Sequence, residues 1–208
     1  MKITAYILGS FQTNCYLAES AGEAVLIDPA VYSEEIASYI KDSGLVLKYV
    51  LLTHCHFDHT MGAEEFCGQF DAPAAAGALD FDSFSDPAAN ASSLLGLLPG
   101  KTPSVSVRLS EGSQVKFGEC VLRVIETPGH TAGGISFYTD GSLFSGDTLF
   151  RASIGRTDLP GGSYSTIISS VTDKLYLLPD NTKVYPGHGE STEIGWEKQN
   201  NYYAKSND

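Results

Sequence analysis

The chain has 208 residues, 42% of them hydrophobic, and a formal net charge of −12 at pH 7. So acidic a surface excludes nucleic-acid binding, which needs clustered Lys and Arg against phosphate, and no window reaches the roughly 20 apolar residues of a membrane span. What remains is a chain long enough to bury one sizeable core, and with no linker in view residues 1–208 are expected to form a single domain.

The amino terminus carries one charge and a short mixed run ended by Gly9-Ser10, so it reads as a first strand over 3–8 and not as a signal peptide. Strand-like runs follow at 15–18, 24–27 and 48–52. Between the last two, 33–43 reads as a helix: Ser33 is placed to cap it, Glu34 and Glu35 sit in its positive first turn, and Gly44 lies just beyond its end. A second helix is expected over 61–70. Residues 78–103 mix Phe81, Phe84, Leu94, Leu95, Leu97 and Leu98 with Ser, Asp, Pro and Gly, which fits either a flap over a site or a small helix filling a surface groove. In the second half, 121–125, 135–138 and 143–145 read as strands, with Asp140-Gly141 as the hairpin turn between the last two. A helix over 165–178 should stop at Pro179. The cysteines Cys15, Cys55, Cys67 and Cys120 lack paired spacing, which implies reduced thiols and a cytoplasmic location.

The five histidines stand where metal chemistry would want them. Thr53-His54-Cys55-His56-Phe57-Asp58-His59 follows the apolar run Tyr49-Val50-Leu51-Leu52 directly. Alternate side chains of an extended segment share a face, so His54 and His56 can converge on one ion, and Cys55 points to the opposite face and is no ligand. Asp58 and His59 come where the strand yields to a loop and a helix, which turns them toward a second point. Thr127-Pro128-Gly129-His130 ends a strand in a turn and supplies a third imidazole for the first ion. Ser145-Gly146-Asp147-Thr148 ends another, and the two oxygens of Asp147 can bridge both ions. Tyr185-Pro186-Gly187-His188-Gly189 gives an imidazole for the second ion. Two adjacent divalent ions with open positions are a layout for hydrolysis.

The ordered set His54, His56, Asp58, His59, His130, Asp147 and His188 resembles the metallo-β-lactamase superfamily. The stretches Gly146-Asp147-Thr148-Leu149-Phe150, Gly155-Arg156-Thr157-Asp158, Pro186-Gly187-His188-Gly189 and Ile194-Gly195-Trp196-Glu197 are similar to the short glyoxalase II-like hydrolases. The resemblance implies an α+β fold, a four-layer αβ/βα sandwich of two mixed β-sheets flanked by helices. It implies two divalent ions, zinc first with iron or manganese as alternatives, and a metal-bridging hydroxide that attacks a small-molecule thioester such as S-2-hydroxyacylglutathione. Asp58, besides ligating, would accept the water's proton and orient the hydroxide. Asp28 matches the family's early aspartate, with the expected role of orienting a ligand histidine; a plain turn-forming Asp before Pro29 is the alternative. Arg156 and Asp158 are expected to form an ion pair that fixes the loop near Asp147, with direct substrate contact as the other reading. Asp147 argues against β-lactam cleavage as the physiological role.

Two features leave the substrate open. The longer glyoxalase II enzymes carry a helical carboxyl-terminal domain with glutathione-binding groups, which is not expected here; Tyr202, Tyr203 and Lys205 could replace it in part, and Asn200-Asn201 stands where similar short proteins have Asn-Pro. Persulfide dioxygenases share the cluster and the Gly-Arg-Thr-Asp stretch but use a single iron, which would here be held by His56, His130 and Asp147. Their last motif usually reads Pro-Ala-His-Asp, so Pro186-Gly187-His188-Gly189 favours the hydrolase. A lactone or other ester is a variant of the same hydrolysis, and a non-catalytic metal-binding protein is the remaining alternative.

Overall fold

In a computed structural model of the chain, residues 1–96, 103–139 and 141–205 are described. The first half builds one six-stranded sheet from β1 (Lys2–Leu8), β2 (Thr13–Ser20), β3 (Glu23–Ile27), β4 (Val46–Leu52), β5 (Ala74–Gly77) and β6 (Val105–Leu109), in that spatial order. Its first three strands pair antiparallel and the rest parallel. The parallel crossovers carry α1 (Glu34–Asp42), the single turn α2 (Phe57–Thr60) and α3 (Ala63–Phe70).

A second six-stranded sheet comes from the other half, in the order β7 (Gln114–Phe117), β8 (Cys120–Glu126), β9 (Ile135–Thr139), β10 (Ser142–Gly146), β13 (Lys183–Pro186) and β14 (Thr192–Glu193). Between β10 and β13 lie the small hairpin β11 (Leu149–Phe150) and β12 (Ser153–Ile154), then α4 (Tyr164–Asp173); α5 (Ile194–Asn200) follows β14. Only β10 and β13 run parallel in this sheet.

Strand periodicity decides the layering, because neighbouring side chains face opposite ways. Tyr16, Val25, Ile27 and Leu51 point inward and meet Phe117, Leu122, Val124, Phe137 and Phe144 of the second sheet. Their neighbours Leu17, Leu26, Val50 and Leu52 point outward, under Ile36 and Ile40 of α1 and Phe66 of α3. On the far side Ile125, Leu143 and Val184 pack beneath Ile167 and Val171 of α4. The result is the four-layer α+β sandwich that the sequence leads one to expect.

Several local features match their sequence signals. Ser33 caps α1 by accepting from the Ile36 amide, and Gly44 takes a positive φ of 64° just past its end. Others differ. The helix expected over 61–70 is broken at Met61-Gly62, with α2 starting earlier and α3 later. The one expected over 165–178 is α4, capped by Ser163, and then a separate 3₁₀ turn, Leu175–Leu177. Strands β5, β6 and β7 fall where the sequence reading has only connections. Strands β6 and β7 do alternate, in Val105, Val107, Leu109 and in Val115, Phe117; β5 is Ala-Ala-Ala-Gly and has neither alternation nor β-branching to betray it.

Residues 78–96 form neither a flap of one piece nor one helix. They make three 3₁₀ turns, Ala78–Asp80, Ser83–Ser85 and Ser92–Leu95, pinned by buried Asp80 and Phe84, with Leu94 left exposed. Leu97 and Leu98 lie outside the described residues, as does Asp140 of the expected hairpin turn.

Alanine-rich β5 passes close beneath the loop after β8, where a Cβ added to Gly77 would collide with the Gly133 carbonyl oxygen. Gly77→Ala is therefore expected to cost about 1–3 kcal/mol by overpacking, measured as a drop in the urea midpoint at constant slope. An unchanged midpoint would mean that this approach is looser than it stands here.

Candidate metal centre

Four strands of the two sheets deliver their carboxyl ends to one edge. After β4 come Thr53 and His54, with His56 as the residue preceding α2 and Asp58 and His59 within that turn. The end of β8 leads to His130, that of β10 to Asp147 and that of β13 to His188. The last of these loops is stitched to the beginning of β2. Thr13 bridges His188, the Asn14 amide donates to Gly187 O at 2.7 Å, and Asn14 Nδ2 donates to Pro186 O and Gly189 O. Glycine is needed at 187, because any Cβ there would run into the Asp147 carboxylate.

Donor atoms within 4.8 Å of one another form three sets among the described residues; one, Asp28 with His54 and His59, shares members with the two main groups, His54, His56 and His130 in one and Asp58, His59 and His188 in the other. Asp147 stands between them. Its Oδ1 lies 3.4 Å from His59 Nε2, and its Oδ2 is 3.6 Å from both His130 Nε2 and His188 Nε2. Across the second group His59 Nε2 and His188 Nε2 are 3.2 Å apart, and Asp58 Oδ2 is 3.4 Å from His188 Nε2. Cys55, between His54 and His56 in sequence, turns away and donates its thiol to Ala89 O.

Three of the rings have a partner on their far side that orients them. Asp28 Oδ2 accepts from Thr53 Oγ1 at 2.6 Å, which leaves the threonine oxygen to accept from His54 Nδ1 at 3.0 Å. The same Asp28 oxygen accepts from His59 Nδ1 at 3.0 Å, and Arg156 O accepts from His130 Nδ1 at 2.8 Å. With Nδ1 of His54 and His130 donating, Nε2 of these two rings faces inward as a lone pair. Among the described residues, Nε2 of His54, His56 and His130 and Oδ1 of Asp147 are buried with no hydrogen-bond partner. Buried polar atoms are normally satisfied, because each unpaired one costs about 1–3 kcal/mol; orphans that converge as nitrogen and carboxylate donors fit metal ions.

Charge follows the same division. Burial, and then the imidazoles of His59, His56 and His130, push the His54 pKa well down. Burial and then His130 push that of His56 to about 3. In the second group burial opposes but loses. The charge of Asp147 and the bond to Asp28 lift His59 to about 10, and the bond from His188 with the charge of His59 holds Asp58 down at about 2.

Arg156 and Asp158 pair through two 2.8 Å bonds on the surface, while the Arg156 main chain supports His130. A cavity opens in front of the two groups, reached by His56, Asp58, His130, Asp147 and His188 on its floor. Tyr202 and Tyr203 are exposed, and neither they nor Lys205 are among the described residues that line it.

Sequence reasoning missed Asp80. Its carboxylate is fully buried and accepts from the Cys55 amide at 3.0 Å, Thr131 Oγ1 at 2.7 Å and the Gly133 amide at 2.6 Å. It thus ties the loop of His54 and His56 to the loop of His130. Only the presence of an acidic residue in a small-residue stretch marks it, which is too weak a signal to single it out.

The description "Metallo-beta-lactamase superfamily" belongs to the family model that matches residues 8–188. Among curated relatives, the probable metallo-hydrolase YqgX of Bacillus subtilis is 35% identical, covering 97% of this chain and 96% of its own. Hydroxyacylglutathione hydrolase GloC of Haemophilus influenzae is 34% identical, with 99% of each chain covered. Of solved structures, the B3 metallo-beta-lactamase BLEG-1 superposes with a TM-score of 0.91 at 35% identity, covering 98% of this chain and 99% of that one. TTHA1623 in a di-iron-bound form gives 0.84 at 35% identity, with 96% and 99% covered.

Two outcomes are expected. Unfolded imidazoles take up protons below about pH 6.5, whereas the folded metal-free His54 and His56 resist, His56 down to about 3. The unfolded state then binds more protons, so the stability of metal-stripped protein falls as pH drops from 7 to 4.5. The contribution of His59, whose pKa is raised, is fully present below 6.5 and is lost only toward 10. A urea midpoint that stays level over that window would contradict this. Asp80→Ala leaves three donors unpaired and is expected to cost about 3 kcal/mol or more and to lower metal content, read by denaturation and elemental analysis.

Proposed function

Because the chain belongs to the metallo-beta-lactamase superfamily, we propose that it is a dinuclear metal-dependent hydrolase of small-molecule thioesters, with S-2-hydroxyacylglutathione as the first substrate to try. The observation that carries the reading is Asp147, whose two oxygens reach imidazole nitrogens of both groups. In this reading His54, His56 and His130 would hold one ion and Asp58, His59 and His188 the other, with Asp147 within reach of each. The likeness to GloC supports the thioester.

Two divalent cations bound there would polarise the substrate carbonyl and bring the pKa of a water toward neutrality. Zinc suits imidazole and carboxylate donors, as do iron and manganese, and the likeness to TTHA1623 supports iron as the alternative. The residues do the rest. Asp58, held ionised at neutral pH, orients the attacking water and accepts its proton on a carboxylate oxygen. As the water oxygen bonds to the acyl carbon the carbon–sulfur bond breaks, and a thiolate leaves without prior protonation. Asp28 and Thr53 keep His54 and His59 in the tautomer that ligation needs. No serine or cysteine nucleophile is required.

Among the described residues no helix is long and apolar enough to cross a membrane. The four cysteines are unpaired, which supports a reducing compartment such as the cytoplasm. The likeness to BLEG-1 supports a second reading, lactam hydrolysis in the same cavity.

The test is kcat/KM of metal-replete protein on S-D-lactoylglutathione, other thioesters and a chromogenic cephalosporin, beside Asp147→Ala. A thioester value above roughly 10⁴ M⁻¹s⁻¹, lost by about 10³-fold together with metal in Asp147→Ala, is the expected result. A fully active Asp147→Ala protein would sink the mechanism. One iron per chain with oxygen uptake on glutathione persulfide would replace the hydrolase by a dioxygenase, and a cephalosporin as the better substrate would favour the second reading.

A further inference from the structure

The outer wall of the cavity is made of carbon. Phe11, Phe57, Leu94, Phe150 and Leu159 line it above the histidines and carboxylates. They come from five separate places: the turn after β1, α2, the 3₁₀ turn Ser92–Leu95, β11 and the loop before α4. Single exposed apolar residues are ordinary; convergence of five segments on one cavity is not, and marks a ligand surface. Phe11 and Phe57 meet edge to face, with centroids 5.2 Å apart, although Phe11 remains 45% exposed. Leu94 is 61% exposed. The Phe150 ring stands 6.3 Å from that of His188, so the wall begins right beside the donor atoms.

Charge on this wall is scarce. Among the described lining residues Arg156 is the one cation, and Asp158 already engages it through both of its guanidinium contacts. A glutathionyl group brings two carboxylates and an ammonium, which lose hydration on binding and need partners in return. An aryl or branched alkyl group needs none and gains from covering the rings.

Resting on the hydrolase reading above, we infer that the site selects thioesters whose groups flanking the reacting carbonyl are uncharged and apolar, aryl or branched alkyl, over glutathionyl thioesters. The specificity-determining residues are Phe11, Leu94 and Phe150.

The experiment compares phenylacetyl-N-acetylcysteamine with S-D-lactoylglutathione on metal-replete protein, and measures binding of a non-hydrolysable benzyl thioether against S-methylglutathione by calorimetry. The expected result is a kcat/KM about 10- to 100-fold higher for the aryl thioester and tighter binding of the aryl thioether. Phe11→Ser and Phe150→Ala should each narrow the ratio between the two substrates, with metal content unchanged. Equal or faster hydrolysis of lactoylglutathione would overturn the selectivity and leave the hydrolase standing. Failure to hydrolyse either thioester at full metal loading would overturn the hydrolase reading and the selectivity together, and the calorimetry would then report separately whether the wall binds apolar groups at all.

Discussion

Everything at the site depends on the carboxylate of Asp28. It lies at the end of β3, with a left-handed φ of 51° that a non-glycine residue adopts at a cost, and it accepts from the Thr53 amide, the Thr53 hydroxyl and His59 Nδ1. Through Thr53 it also reaches His54. One buried anion thereby determines which nitrogen faces inward in a member of each donor group. Without it the rings could place Nδ1 or Nε2 inward, and a cluster of buried imidazoles would have no common sense of direction. The strained backbone at Asp28 is what turns its side chain back onto the neighbouring strand, so strain and alignment are the same feature.

The two donor groups differ in electrostatic character because their surroundings differ. Around His54 and His56 there is burial and other imidazoles, which keep both of them neutral. Around His59 and His188 stand Asp58 and Asp147, and protonation is favoured. Asp147 faces both, and in a low-dielectric pocket a carboxylate so placed is worth most when the charge opposite it is concentrated. Asp80 adds a mechanical link, since the loops of His56 and His130 share its oxygens.

Much of this was legible in the sequence, and the reason is physical. Alternation puts His54 and His56 on one face, and the switch from strand to helix at Phe57 redirects Asp58 and His59; both are local rules, readable from neighbours alone. Partnerships across long stretches are not. Asp80 acts through Thr131 and Gly133, and Glu197, fully buried, accepts from Ala152 N, Thr192 Oγ1 and Asn201 Nδ2 to hold α5 against the β11–β12 hairpin. Nothing adjacent to either residue announces those partners. Strand β5 hides for another reason: Ala74, Ala75 and Ala76 carry no β-branching, Gly77 is held small by the Gly133 carbonyl, and residues that small carry no secondary-structure signature.

The stitching of the His188 loop to Thr13 and Asn14 has a consequence for the order in which the centre can come into being. Residues made first hold the loop of His188, made last: the contact from Asn14 to Pro186 spans 172 positions. During synthesis from the amino end, the donors His54, His56 and His130 are all present while His188 has yet to be added. A growing chain therefore possesses one complete set of nitrogen donors well before the other, and the strand edge waiting at Thr13 and Asn14 stays open until the final loop arrives to close it.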